Sequence, residues 1–154
     1  AMWSFGIDRS RGQTVELIQT VIGRESSASV LWACFFEVLR LSKAERLDSE
    51  QADVVARSLP RDLNVPLIRI AAVLGRSGSR VALEWVLERV TTLGTELPAK
   101  LSEEAADMVD IGRSGAWADA SDRAIVLDAW RRTRASSGLL KWNGSKGKFC
   151  SSNE

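Results

Sequence analysis

Two consecutive apolar stretches around a glycine-marked turn, residues 67–93, constrain this chain more than any other feature. Leu67-Ile68-Arg69-Ile70-Ala71-Ala72-Val73-Leu74 reads as a helix closed by Gly75. After Ser77-Gly78-Ser79, a second helix carries Val81, Ala82, Leu83, Trp85, Val86, Leu87, Val90 and Leu93. Its polar stripe is Arg80, Glu84 and Glu88 at i, i+4 spacing, with Arg89 and the Thr91-Thr92 pair. A helix that is apolar on most faces must be enclosed by others. The sequence therefore predicts an all-α, single-domain bundle of seven or eight helices around this central helix.

The remaining helices follow from period and caps. A first runs near 13–22 and ends at Gly23; a second, about 28–47, is capped by Ser26 or Ser27. Asp48 or Ser49 caps a third that stops before Pro60, and Asn64 with Pro66 opens the fourth. The fifth spans about 79–93 and stops at Gly94. A sixth runs from Pro98 or Ser102 through Val109, and a seventh carries Trp117, Ala120, Ala124, Leu127 and Trp130. No convincing strand alternation is visible. At 154 residues the chain makes one domain, burying about 70% of the surface its unfolded form exposes. The ordered core is expected over about 12–136, and residues 137–154 as a flexible tail around the Asn143-Gly144-Ser145-Lys146-Gly147 turn.

Charge is divided along the chain. Residues 1–128 hold 15 Lys/Arg against 19 Asp/Glu, whereas residues 129–154 hold six (Arg131, Arg132, Arg134, Lys141, Lys146, Lys148) against Glu154 alone. A basic tail on an acidic body fits either an anionic partner or simple solvation. Cys34 lies in an apolar run and reads as a buried small hydrophobe, while Cys150 lies in the polar tail. Two such cysteines make no disulfide framework, so a reducing, cytoplasmic setting is expected. No segment resembles a signal peptide, and no apolar run reaches the roughly 20 residues that span a bilayer.

Catalysis is poorly served. The chain has no His, so neither a nucleophile–His pair nor the commonest metal ligand exists, and no glycine-rich phosphate loop is present. Glu103-Glu104-x-x-Asp107-x-x-Asp110 could present carboxylates to a metal, but no facing acidic helix has matching spacing. We expect no enzyme, cofactor or metal. One binding pattern competes with the family reading below. Residues 67–88 place Ile70, Ala71, Leu74, Gly75 and Val81 like a helix-turn-helix that reads nucleic acid, although Arg76 and Glu84 stand where that motif wants apolar residues.

More of the chain resembles the Bcl-2 family of apoptosis regulators. Ile68 to Leu74 with Ser77-Gly78 is similar to that family's fourth helix and following turn, and Arg80-Val81-Ala82-Leu83 to the start of its central helix. Ile111-Gly112-Arg113-Ser114-Gly115-Ala116-Trp117 resembles its second homology motif, and Ala44-Glu45-Arg46-Leu47-Asp48-Ser49 the core of its third. The chain departs from the family where Arg40 replaces an expected Leu, where the Asn-Trp-Gly before the arginine is missing, in a short sixth-helix region, and in lacking a C-terminal anchor. Its compact, anchorless character resembles viral homologues.

The resemblance implies a pro-survival regulator that sequesters the amphipathic helix of pro-apoptotic Bcl-2 proteins in a surface groove. Leu47, Val54, Val55, Leu59, Ile70, Leu74 and Leu83 would line that groove, and Arg80 would pair with the ligand's aspartate. Gly78, Gly115 and Trp117 would form the motif turns. The competing reading makes the seven apolar residues ordinary core and Arg80–Glu84 a surface pair. A homodimer, peripheral contact with anionic membrane and a location at mitochondria complete the expected associations. An otherwise unassigned helical interaction protein is the remaining alternative.

Overall fold

A computed structural model describes residues 11–24, 27–43, 47–60, 65–110 and 122–151. Among these residues the chain is a helical bundle: α1 (Arg11–Arg24), α2 (Ala28–Lys43), α3 (Ser49–Ala56), α4 (Val65–Arg76), α5 (Arg80–Leu93), α6 (Ala99–Ala106) and α7 (Arg123–Ala135). Short 3-10 turns follow α5 (Gly94–Glu96) and α7 (Ser137–Leu139). The expected helical class is correct, and no helix among the described residues is long and apolar enough to cross a membrane.

Local chemistry sets the helix ends. Asp48 caps α3 by accepting from the Gln51 N–H at 2.8 Å while Gln51 reaches back to the Asp48 N–H, a reciprocal capping box. Ser79 caps α5 by accepting from the Ala82 N–H at 3.0 Å, and its hydroxyl donates to Asp53 on α3 at 2.6 Å. Asp122 caps α7 through the Ala124 N–H. The fourth helix continues past Gly75 to Arg76, because Gly75 serves a different purpose. A Cβ there would fall 2.3 Å from the Met108 sulfur, so the missing side chain lets Met108 close over α4. The left-handed residue of the α4–α5 turn is Gly78, at φ +100°.

The most enclosed helix is α4 rather than α5. From Pro66 to Gly75 every α4 residue is buried except Arg69, and the helix packs against α2, α3, α5, α6 and the last strand. The fifth helix packs on α3, α4 and α7 but leaves Glu84, Glu88 and Thr92 exposed at i, i+4 spacing. That single stripe is enough to bring α5 to the surface. Arg89, read from sequence as part of the stripe, is instead buried and stacked on Trp85, its Nη1 3.0 Å from Glu88. On α7 the inward stripe is Val126, Trp130 and Thr133; Ala124 faces outward. The Trp130 indole N–H donates to the Ser102 hydroxyl on α6 at 3.0 Å.

The C-terminal segment is the main correction. Residues 137–151 are not a flexible tail: β2 (Leu140–Asn143) and β3 (Lys148–Ser151) form an antiparallel hairpin. β3 also pairs in parallel with β1 (Val109–Asp110), giving the order β1-β3-β2. The sixth helix therefore ends at Ala106 and the chain turns into β1 instead of staying helical through Val109. The Phe149 N–H donates to the Met108 carbonyl at 2.8 Å. Asn143 Oδ1 accepts from the Ser145 and Lys146 N–H groups and so shapes the hairpin turn. Leu140 and Phe149 enter the core, and Trp142 packs 5.2 Å from the Phe149 ring. Cys150 is buried too, although the polar composition around it suggested exposure.

Candidate functional site

The residues expected to line a groove are drawn into the core. Leu47, Val55, Ile70, Leu74 and Leu83 are buried in a single core cluster, and Val54 and Leu59 pack against it half-buried. All seven thus occupy the ordinary-core role that competes with the groove reading. Gly78 is also covered: a Cβ there would sit 2.8 Å from Ser49 Cβ and 2.9 Å from the Trp142 ring. Gly115 and Trp117 lie outside the described residues, as do Ala44 to Arg46.

Arg80 holds structure rather than facing an open groove. Its Nη1 donates to the Ser137 carbonyl at 3.0 Å and its Nη2 to the Leu140 carbonyl, while the guanidinium lies 5.6 Å from the centre of the Phe149 ring. Glu84 is at the 4.0 Å limit of an ion pair, so the expected i, i+4 partner is the weaker contact. Arg80 thus ties the start of α5 to the hairpin. Arg80→Ala is expected to cost about 1–3 kcal/mol of stability, because it strips two carbonyls of a charged donor. A lowered midpoint in urea denaturation would register this; an unchanged midpoint would return Arg80 to the surface role.

The helix-turn-helix pattern meets a geometric obstacle. Its would-be recognition helix, α5, buries Ala82, Leu83, Trp85, Val86, Leu87, Arg89 and Val90, and its exposed residues include the acidic Glu84 and Glu88. Such an acidic face is ill suited to phosphate. The carboxylates of residues 103–110 are likewise spread over two elements. Glu104 pairs with Arg69 and Asp107 lies 3.7 Å from Arg76, so both neutralise α4.

The feature that sequence reasoning passed over is an aromatic face on α2. Phe36 is 62% exposed. Its ring centre lies 5.3 Å from Phe35 and 6.5 Å from Trp32, and Trp32 meets Phe35 edge-on at 5.7 Å. Arg69 covers the inner side, 5.2 Å from the Trp32 ring and 5.0 Å from Phe35. Arg69 is itself gripped by Glu104, donating through Nε at 2.8 Å and Nη2 at 2.6 Å. Val65, one turn before Arg69 on α4, is also exposed. Glu37 flanks the patch and raises the pKa of the Arg40 guanidinium, first through their hydrogen bond and then through its charge. The signal was present in the spacing. Leu31, Cys34, Phe35, Val38 and Leu41 form the inward stripe, which leaves Trp32 and Phe36 as an i, i+4 pair on its edge.

Compared with family models, with curated proteins and with solved structures, the chain matches none of them.

Proposed function

We propose that this chain is a helical interaction protein that takes an amphipathic helix of a partner against the Trp32–Phe36 face of α2. The partner class is the one implied by the resemblance: the amphipathic segments of pro-apoptotic Bcl-2 proteins, met in the cytosol or at the mitochondrial surface. One observation carries the reading, an exposed phenylalanine packed against a half-buried tryptophan. Monomeric proteins seldom leave aromatic surface together without a use for it. The clamp of Arg69 by Glu104 fixes the neighbouring rings in advance, so little side-chain freedom is lost on docking. A helix with apolar residues at i, i+3/4 and i+7 would lay them along α2, leaving Arg40 and Glu37 at the rim for polar contacts.

Titrating the chain with a panel of amphipathic-helix peptides, pro-apoptotic segments among them, tests the proposal. Phe36→Ala is expected to weaken the best peptide about 30-fold or more, the effect of losing a central aromatic anchor. Folding stability should hardly change, since the ring is mostly in water already. Arg80→Ala should leave peptide affinity near the parent's value. Affinity that survives Phe36→Ala and Trp32→Ala together would sink the α2 face.

A further inference from the structure

We propose a second, independent contact surface: the last turn of α7, the 3-10 turn after it and the outer face of the hairpin dock on an anionic lipid bilayer. Arg131 and Arg134 stand three residues apart on α7, both exposed, beside a concavity of about 430 Å³ that they line with Thr91, Thr92 and Ala135. Among the described residues Arg132 is matched by Asp128, whereas Arg134 donates to a hydroxyl, that of Thr91, at 2.9 Å. The chain then presents Leu139, 64% exposed and the most exposed large hydrophobic residue described. Strand pairing sets Lys141 opposite Cys150 and Lys148 opposite Asn143, so the two lysines share the face away from the Trp142–Phe149 pair. Lys141 is exposed there, and Lys148 is half-buried beside the buried Cys150. Lys146 is exposed in the turn. From residue 129 to 151 there is no acidic side chain.

Basic groups around one protruding aliphatic side chain suit lipid in two ways. The cations are drawn to anionic headgroups, and Leu139 can enter the acyl boundary. A nucleic acid would make poor use of the same surface. Trp142 and Phe149, the aromatic residues of the hairpin, are turned inward, Trp142 over Gly78 and Phe149 into the core, so neither offers a ring for base stacking.

Cosedimentation of the full chain with phosphatidylcholine vesicles, with and without phosphatidylserine, tests this. Binding should require phosphatidylserine and fall steeply between about 0.05 M and 0.5 M salt, as exposed charges are screened. Arg131→Ala with Arg134→Ala should lower partitioning by about tenfold or more. Leu139→Gln should weaken it further while leaving the salt dependence as it was, because apolar insertion is not screened. All three positions are exposed, so the helical circular dichroism spectrum should match the parent's. Equal sedimentation with neutral and anionic vesicles would overturn the proposal, as would an Arg131/Arg134 variant that binds like the parent. Tighter binding to single-stranded RNA or duplex DNA than to the anionic vesicles, lost in the same variants, would also overturn it.

Discussion

Removing residues 137–154 is expected to unfold the chain, although those residues read as a dispensable basic tail. The hairpin supplies two side chains to the core, Leu140 and Phe149, each about 2% exposed or less. Losing a buried phenylalanine costs about 3–5 kcal/mol and a buried leucine about 2–5 kcal/mol. Their sum is comparable to the whole stability of a typical domain, about 5–15 kcal/mol. Truncation also leaves the Met108 carbonyl without the Phe149 N–H, uncovers Gly78 and deprives Arg80 of both its acceptors. Phe149→Ala isolates the packing component and should lower stability by about 3–5 kcal/mol. Urea denaturation followed by far-ultraviolet circular dichroism checks both. A truncated chain with the parent's cooperative transition would show that the hairpin is peripheral after all. Peptide affinity therefore cannot be compared between full and truncated chains.

Why the hairpin escaped the sequence is a matter of scale. Each strand has four residues, too few for alternation to stand out from a composition rich in Lys, Ser and Gly. The pattern exists only when the strands are aligned: Leu140 and Trp142 alternate with Lys141, and Phe149 follows Lys148. Helices were legible for the opposite reason. Their boundaries are written in local chemistry, so a cap at Asp48 or Ser49 and the stop at Gly94 could be read directly. Arg80 shows where local reading fails. Its sequence neighbour Glu84 is the weak contact, and the carbonyls it serves lie 57 and 60 positions away. Phe36 was hidden in a run of apolar residues, where only the 3–4 spacing of the inward stripe sets it apart. The family resemblance rests on the order of short motifs, and order alone does not say whether Ile70 or Leu74 faces a ligand or the core.

Leu74 offers the sharpest separation of those two meanings. If it lined an open groove, Leu74→Glu would leave the fold intact and abolish peptide binding. With Leu74 at 0% exposure between α4 and its neighbours, the same change puts a carboxylate into the core. The leucine packing is lost, about 2–5 kcal/mol, and burying an unpaired charge adds several kcal/mol more. The variant is expected to be largely unfolded at neutral pH. Its pH dependence carries a sign of its own. Burial disfavours the charged form, so the folded-state pKa of the new glutamate lies above its unfolded value of about 4.3. Whatever structure the variant keeps is therefore most stable below that value and is lost as pH rises through the folded pKa. Leu74→Met, which conserves volume and polarity, should cost less than about 1.5 kcal/mol. Denaturation midpoints of the two variants across acidic and neutral pH make the test. A Leu74→Glu protein with the parent's midpoint at neutral pH would reopen the groove between α3 and α5 and move the binding face away from α2.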